Sequence, residues 1–272
     1  MPVVTTREPE IEAPPEIYTY TSLLDNYRAK WGYNQLNAKQ QKVYERLYKA
    51  AESSSRAEVN VQDLGVKTDD VDLAYWAFDY DNPQFLQLGS GYQMKVYADD
   101  RTRPASVIIL YGRTSAEVSQ SLFEQFADDI ISQAAEKPTD YEKLEYIHDR
   151  IVDNTVYTDN GERYNYEADG PLVYGKAVCE GYSKAFMYLA QSVGIECVCV
   201  IGTANGEEHM WNLVKLYGEW YNVDVTWDDP IRSDGANVLR HNYFLISDYD
   251  IGETHELEEL FPVPSAPNTY MQ

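Results

Sequence analysis

From residue 185 onward the order of elements leaves the chain little freedom. Residues 185–193 form an almost wholly apolar run (Ala185, Phe186, Leu189, Ala190, Val193) closed by Gly194. The helix this predicts is apolar nearly all round and must be buried. Residues 195–201 continue as a near-continuous apolar strand, and residues 209–216 and 220–225 read as a hairpin about Tyr217-Gly218. A buried helix followed by antiparallel strands hides its surface by packing on their sheet, so the fold class is α+β.

This frame also carries the reactive side chains. Cys179 falls at the start of the buried helix, where unpaired N–H groups and the positive end of the helix dipole favour an anion, as a thiolate nucleophile requires. If Leu216 pairs with Glu219, His209 faces Thr226 and Asp224 faces Trp211. His209 and Asp224 then share one face as a diagonal cross-strand pair within reach of each other. A register slip of one residue would separate them. Thiol, base and orienting carboxylate would divide the work as a serine triad does. On the residues alone, the alternative is a core cysteine beside an unrelated hairpin.

Composition excludes several other classes. Lys and Arg number 22 against 45 Asp and Glu, a net charge of −23 that repels phosphate backbones and anionic lipid, so no nucleic-acid partner is expected. No apolar run is long enough for a transmembrane segment. The three cysteines make neither a disulfide framework nor a zinc ribbon, and Cys197 and Cys199 read as small buried hydrophobes. No calcium loop of the EF-hand type is present, His241 and His255 carry no ligand spacing, and no metal or cofactor is assigned. The 24 tyrosines suit a wet surface as well as a core.

Residues 1–17 are rich in proline and glutamate and predict a disordered linker. An acidic, proline-rich start suits a chain that begins just after a removed signal or lipid anchor, so an extracellular or cell-surface location is expected, with the cytoplasm as the alternative. Residues 18–113 predict a helical and stranded extension: helices over 37–51 and 70–80, then strands over 85–88, 92–97 and 106–111. Residues 114–272 form the expected catalytic core. It opens with two helices whose starts, Thr114 to Glu117 and Thr139 to Glu142, have capping-box spacing. Val118, Leu122, Phe126 and Ile130 form the stripe expected to be buried on the first helix; Leu144, Ile147 and Ile151 form that of the second. His148 lies on the second stripe and reads as a packed, hydrogen-bonded histidine. Residues 157–175 predict one long loop.

Three segments taken together, Val178-Cys179-Glu180-Gly181-Tyr182, His209-Met210-Trp211-Asn212 and Trp220-Tyr221-Asn222-Val223-Asp224-Val225-Thr226-Trp227-Asp228-Asp229-Pro230, resemble the Cys, His and Asp motifs of the transglutaminase-like superfamily, relatives of the papain-like thiol enzymes. The resemblance spans about residues 141–230 and is nearest to the bacterial, often secreted branch. It implies a papain-like core with a nucleophile helix on an antiparallel sheet. It also implies a cysteine acyl-transfer site with Cys179 as nucleophile, His209 as base and Asp224 as its orienter, acting on a protein or peptide substrate.

For the second oxyanion donor Tyr174 is the candidate beside the Cys179 amide, and Trp211 is a candidate wall of a substrate channel. Trp227, Asp228 and Asp229 read as a structural closure of the hairpin. Whether amine or water accepts the acyl group is left open, as is oligomeric state. The alternative reading is a catalytically silent module of the same fold that binds protein or glycan at the cell surface. A serine hydrolase is disfavoured, since Gly181-Tyr182-Ser183-Lys184-Ala185 lacks the closing glycine of a nucleophile elbow.

Overall fold

The computed structural model describes residues 26–53, 58–111, 113, 120–230, 238–258, 260 and 262–271. The linker expected over 1–17 and the capping motif at 114–117 lie outside these residues.

Helix α1 (Trp31–Gln35) leads into α2 (Ala38–Glu52), which is fixed at its start by a capping box. The Asn37 side chain accepts the Lys39 and Gln40 N–H groups, and the Gln40 side chain accepts the Asn37 N–H. Val43, Leu47 and Ala50 are buried, as their spacing predicts. Strand β1 (Glu58–Asn60), helix α3 (Thr68–Asp81) and strands β2 (Leu88–Val96) and β3 (Pro104–Tyr111) complete this part, the strands forming an antiparallel sheet in the order β1-β3-β2. Residues 85–87 are not strand as expected: the Phe85 and Leu88 amides donate to Asn82 and Phe85 carbonyls, curling the chain into turns. Strand β1 is only three residues long, with Val59 buried between exposed Glu58 and Asn60.

Helix α4 (Gln120–Ala135) corrects the expected stripe. Phe123, Ala127, Ile130, Ile131 and Ala134 are buried, whereas Leu122 and Phe126 are 44% and 45% exposed. The helix is turned by one position because Phe123 packs edge-on against Tyr188, 4.8 Å between centroids. Helix α5 (Asp140–Asn154) starts at Thr139, whose hydroxyl accepts the Glu142 N–H, and buries Leu144, Ile147 and Ile151 as expected. The expected loop over 157–175 is more structured than its composition suggests. It begins in β4 (Val156–Tyr157), paired in parallel with β5 (Lys176–Ala177), and contains helical turns at Arg163–Tyr166 and Gly170–Tyr174. A buried ion pair, Arg113 to Asp169 at 2.7 Å, and the bond from the Asn154 side chain to the Pro171 carbonyl hold it, together with Ala168 and Leu172, which are buried in the core.

Helix α6 (Cys179–Ser192) is the buried helix. It packs against a five-stranded antiparallel sheet, order β10-β6-β7-β8-β9, made of β6 (Cys197–Ala204), β7 (Glu207–Leu216), β8 (Glu219–Val223), β9 (Phe244–Ile246) and, after the short α7 (Asp248–Ile251), β10 (His255–Leu257). Leu216 pairs with Glu219, the expected register. Tyr217 and Gly218 both have positive φ, 51° and 88°, the conformation a two-residue turn needs to match strand twist. One face of the sheet turns Cys199, Met210 and Val214 toward α6. The other buries Val198, Val200, Trp211 and Leu213, with Trp31 of α1 covering its edge through Trp220 and a hydrogen bond to the Pro262 carbonyl. Among the described residues no helix is long and apolar enough to cross a membrane.

Candidate active site

The position of Cys179 is set by what surrounds the first turn of α6. Val178 caps the helix and donates its N–H to the Asn165 carbonyl at 3.0 Å. That carbonyl lies so close that a Cβ on Gly181 would sit 2.4 Å from it, so this position requires a residue with no side chain. The Ser183 hydroxyl donates to the Met210 carbonyl at 2.9 Å, and Asn212 donates back to the Ser183 carbonyl at 3.1 Å. These bonds bolt the helix to β7 one residue from His209. They also leave Ser183 buried and engaged, unsuited to serve as a nucleophile.

Of the three cysteines Cys179 alone is not fully buried. Burial pushes the other two thiols up, Cys199 to about 12, so they are packing groups as their strand positions predict.

His209 Nε2 lies 2.7 Å from Asp224 Oδ2. The Cys179 thiol is near enough to the same ring to influence its titration, and with Asp224 on Nε2 the nitrogen left to face the sulfur is Nδ1. Burial alone would lower the imidazole pKa, but the bonds to Asp224 and Cys179 outweigh it and raise it to about 10. The structure thus brings Cys179, His209 and Asp224 together in one chain of contacts.

Asp224 is buried, which by itself raises a carboxyl pKa, yet the bonds from His209 and His255 hold it below the ordinary range. Its Oδ1 accepts the Thr226 and Trp227 N–H groups at 3.0 and 3.2 Å, and its Oδ2 accepts both imidazoles. The second imidazole, His255, was not among the residues picked from the sequence. Its Nε2 is 3.0 Å from Asp224 Oδ2 and its Nδ1 is 2.8 Å from the Thr254 hydroxyl. No spacing announces it: β10 lies far along the chain and reaches the site only by pairing with β6, His255 opposite Ala204. The donor atoms of His209, Asp224 and His255 lie within 4.8 Å of one another, but four N–H donors already occupy the carboxylate.

Two weaker candidates are placed differently from a role on substrate. Trp211 is 2% exposed, donates its indole N–H to Asn222 Oδ1 and lies 6.3 Å from the His209 ring, so it walls the imidazole without opening onto solvent. Tyr174 stacks on Tyr164 at 4.2 Å, and its hydroxyl accepts from Arg113 at 3.4 Å. Nearby, Tyr157 and Tyr166 are both raised above the ordinary tyrosine range, by burial first, and Tyr166 next by Asp159, to which its hydroxyl donates. Trp227, Asp228 and Asp229 form the expected closure: Asp228 accepts the Asn242 and Tyr243 amides, and Asp229 accepts the Tyr182 hydroxyl. His148 is fully buried and hydrogen-bonded, as its stripe position predicts.

Beneath the helix lies a charge cluster. Lys184 Nζ is 2.8 Å from Glu180, 3.2 Å from Glu167 and 3.9 Å from Asp79 of α3, which ties the N-terminal helices to the nucleophile helix.

The chain is similar to several known proteins. Kyphoscoliosis peptidase of Homo sapiens is 26% identical over 151 residues, covering 48% of this chain and 22% of that protein. The Mus musculus protein is 25% identical over 179 residues, covering 57% and 27%. The chain thus spans about a quarter of the length of these curated relatives. A solved structure described as a TGase overlaps at a TM-score of 0.35 and 15% identity over 53% of this chain and 47% of that one, too slight to carry an argument. Residues 124–225, a segment that holds Cys179, His209 and Asp224, match the family model described as the transglutaminase-like superfamily, and it is this core that the segment resembles.

Proposed function

We propose that the chain is a cysteine enzyme that transfers acyl groups from the carboxamide or peptide bonds of protein or peptide substrates, with Cys179, His209 and Asp224 as its triad. The observation that carries this reading is a part-exposed thiol at the start of α6 beside His209, whose Nε2 lies 2.7 Å from a carboxylate that is buried, held below the ordinary range and saturated with donors. A raised His209 pKa means the imidazole keeps a proton at neutral pH, which places a cation beside the Cys179 sulfur and a proton where the leaving group needs it.

In the first half-reaction Cys179 Sγ bonds to the substrate carbonyl carbon, and the oxygen takes up the electron pair. The Cys179 N–H, in the first turn of α6 where a helix leaves its amides without intrahelical partners, is the donor assigned to that charge. His209 then gives its proton to the departing nitrogen, the C–N bond breaks, and ammonia or an amine leaves a thioester on Cys179. In the second half-reaction His209 takes a proton from water or an amine as it attacks the thioester, and the thiol is restored. Asp224 holds the imidazole in one tautomer and balances its charge without taking the proton. The name peptidase carried by the relatives supports water as the acceptor.

The test is a pair of assays on one protein sample. Glutamine-containing protein is incubated with a dansylated amine to read incorporation, and with water alone to read ammonia or new N-termini. Cys179→Ala abolishes whichever signal appears. Turnover that survives Cys179→Ala would sink the proposal, and a folded wild type inert in every assay would favour the binding-module alternative.

A further inference from the structure

A second cluster of titratable side chains lies outside the triad and has no part in the mechanism above. His148 Nδ1, Asp149 Oδ1 and His241 Nε2 all lie within 4.8 Å of one another, with Asp149 Oδ1 3.0 Å from the first nitrogen and 2.7 Å from the second. We infer that these three side chains form a binding site for a divalent transition-metal ion of the zinc class.

Two imidazoles and one carboxylate suit zinc and its neighbours; calcium and magnesium prefer sets made wholly of oxygen. Zinc bonds nitrogen and oxygen at about 2.0–2.2 Å, and tetrahedral ligands around it are therefore about 3.3 Å apart. The two nitrogens stand 3.0 and 2.7 Å from Asp149 Oδ1, so these two pairs need to open by roughly 0.3 and 0.6 Å to reach that spacing.

The surroundings resemble those of a metal-bound histidine in a second respect. His148 is fully buried, and its other nitrogen, Nε2, lies 3.3 Å from Asp228 Oδ2. Asp228 is itself pinned by the Asn242 and Tyr243 amides. Nε2 has no hydrogen-bond partner among the described residues, and Asp228 is the carboxylate placed to take its N–H, the bond that fixes which nitrogen faces an ion and raises its basicity. Phe244 lies 5.0 Å from the His148 ring and 5.6 Å from that of His241, giving the cluster an apolar side. The His241 and Asp149 side chains are 38% and 30% exposed, which supplies an entry path and room for water or a further ligand.

An ion here would join α5 to the segment 241–243, whose Tyr243 carbonyl accepts the Asp224 N–H at 2.9 Å. It would thus brace the backbone behind the triad without touching the reacting atoms.

The experiment is a zinc titration of the chelator-stripped full chain against a chromogenic competitor, repeated with cobalt to read the d–d absorption of a tetrahedral nitrogen and oxygen set. His241→Ala is the primary variant, because this half-exposed residue can be removed without opening the core; His148→Gln is secondary. His209→Ala guards against binding at the triad. The expected result is one equivalent of zinc in wild type and in His209→Ala, with affinity at least about tenfold weaker in His241→Ala, and a zinc-dependent rise in melting temperature that His241→Ala loses. Absence of stoichiometric binding, or binding unchanged by His241→Ala and abolished by His209→Ala, would overturn the inference.

Discussion

Replacing Lys184 with methionine is expected to expose how the two halves of the molecule are held together. The side chain keeps its volume but loses the one cation that faces Glu180, Glu167 and Asp79, and Lys184, Glu167 and Asp79 are all at most 6% exposed at their side chains. Glu180 is 22% exposed and can turn to water; the other two cannot. Removing one member of a buried charged set costs about 3–5 kcal/mol. At roughly 2–4 °C per kcal/mol for a chain near this size, the melting temperature falls on the order of 6–20 °C.

The loss depends on pH in a definite direction. Burial, the largest influence, raises Asp79 to about 6 and Glu167 well above the carboxylate range even with Lys184 present. A carboxyl raised in the folded state binds a proton more readily there than when unfolded, so its penalty is full above its folded pKa and fades as pH falls toward the unfolded value. Lys184→Met is therefore most destabilised above pH 6 and recovers toward pH 4. Differential scanning calorimetry of wild type and variant at about pH 5 and 8 reads this directly, and Glu167→Gln in the variant background should restore part of the loss. Equal deficits at both pH values, or a shift below about 2 °C, would refute the reasoning.

Other consequences follow from single residues. Gly181→Ala places a Cβ 2.4 Å from the Asn165 carbonyl and should cost about 1–3 kcal/mol in urea denaturation, with a larger loss in thiol reactivity because the Cys179 turn must shift. His255→Ala removes one donor from Asp224 Oδ2; stability should fall by about 1.5–3 kcal/mol and Cys179 alkylation should slow, with His255→Gln restoring part of both. In Asp224→Asn the His209 resonances should titrate near the ordinary histidine range, whereas in wild type they hold their proton to about pH 10. The sign follows: protonated His209 stabilises wild type fully below pH ~6.5, and that contribution is lost as pH rises toward 10, a decline Asp224→Asn should flatten. Native-state iodoacetamide should label one cysteine, with Cys197 and Cys199 reacting only after unfolding.

What the sequence discloses and what it hides divide along physical lines. The run 185–193 has only one way to hide its surface, and the hairpin register follows from two turn residues, so α6, β7 and β8 are legible, and with them the approach of His209 to Asp224. The buried face of α4 was not: a helix with apolar residues at both 122, 126 and 123, 127 has two stripes to offer, and Phe123 prevails only because Tyr188 awaits it. Order in 157–175 draws on Arg113 and Asn154, polar residues bonded to Asp169 and Pro171 across 56 and 17 residues. His255 and His241 are invisible for the same reason. Each acquires its meaning from pairing across 31 and 92 residues, and no local pattern encodes that.

The claim on which the account rests is that Cys179 surrenders its proton to His209. The most direct measurement is the rate of alkylation of each cysteine between about pH 5 and 9, read by peptide mass spectrometry in wild type and His209→Ala. An ordinary thiol reacts in proportion to its thiolate and accelerates toward a pKa of about 8.5. The account predicts that wild-type Cys179 is already fast near pH 6 and changes little above it, while His209→Ala returns it to the ordinary profile. A wild-type Cys179 that follows the ordinary profile, or one unaffected by loss of His209, would contradict it.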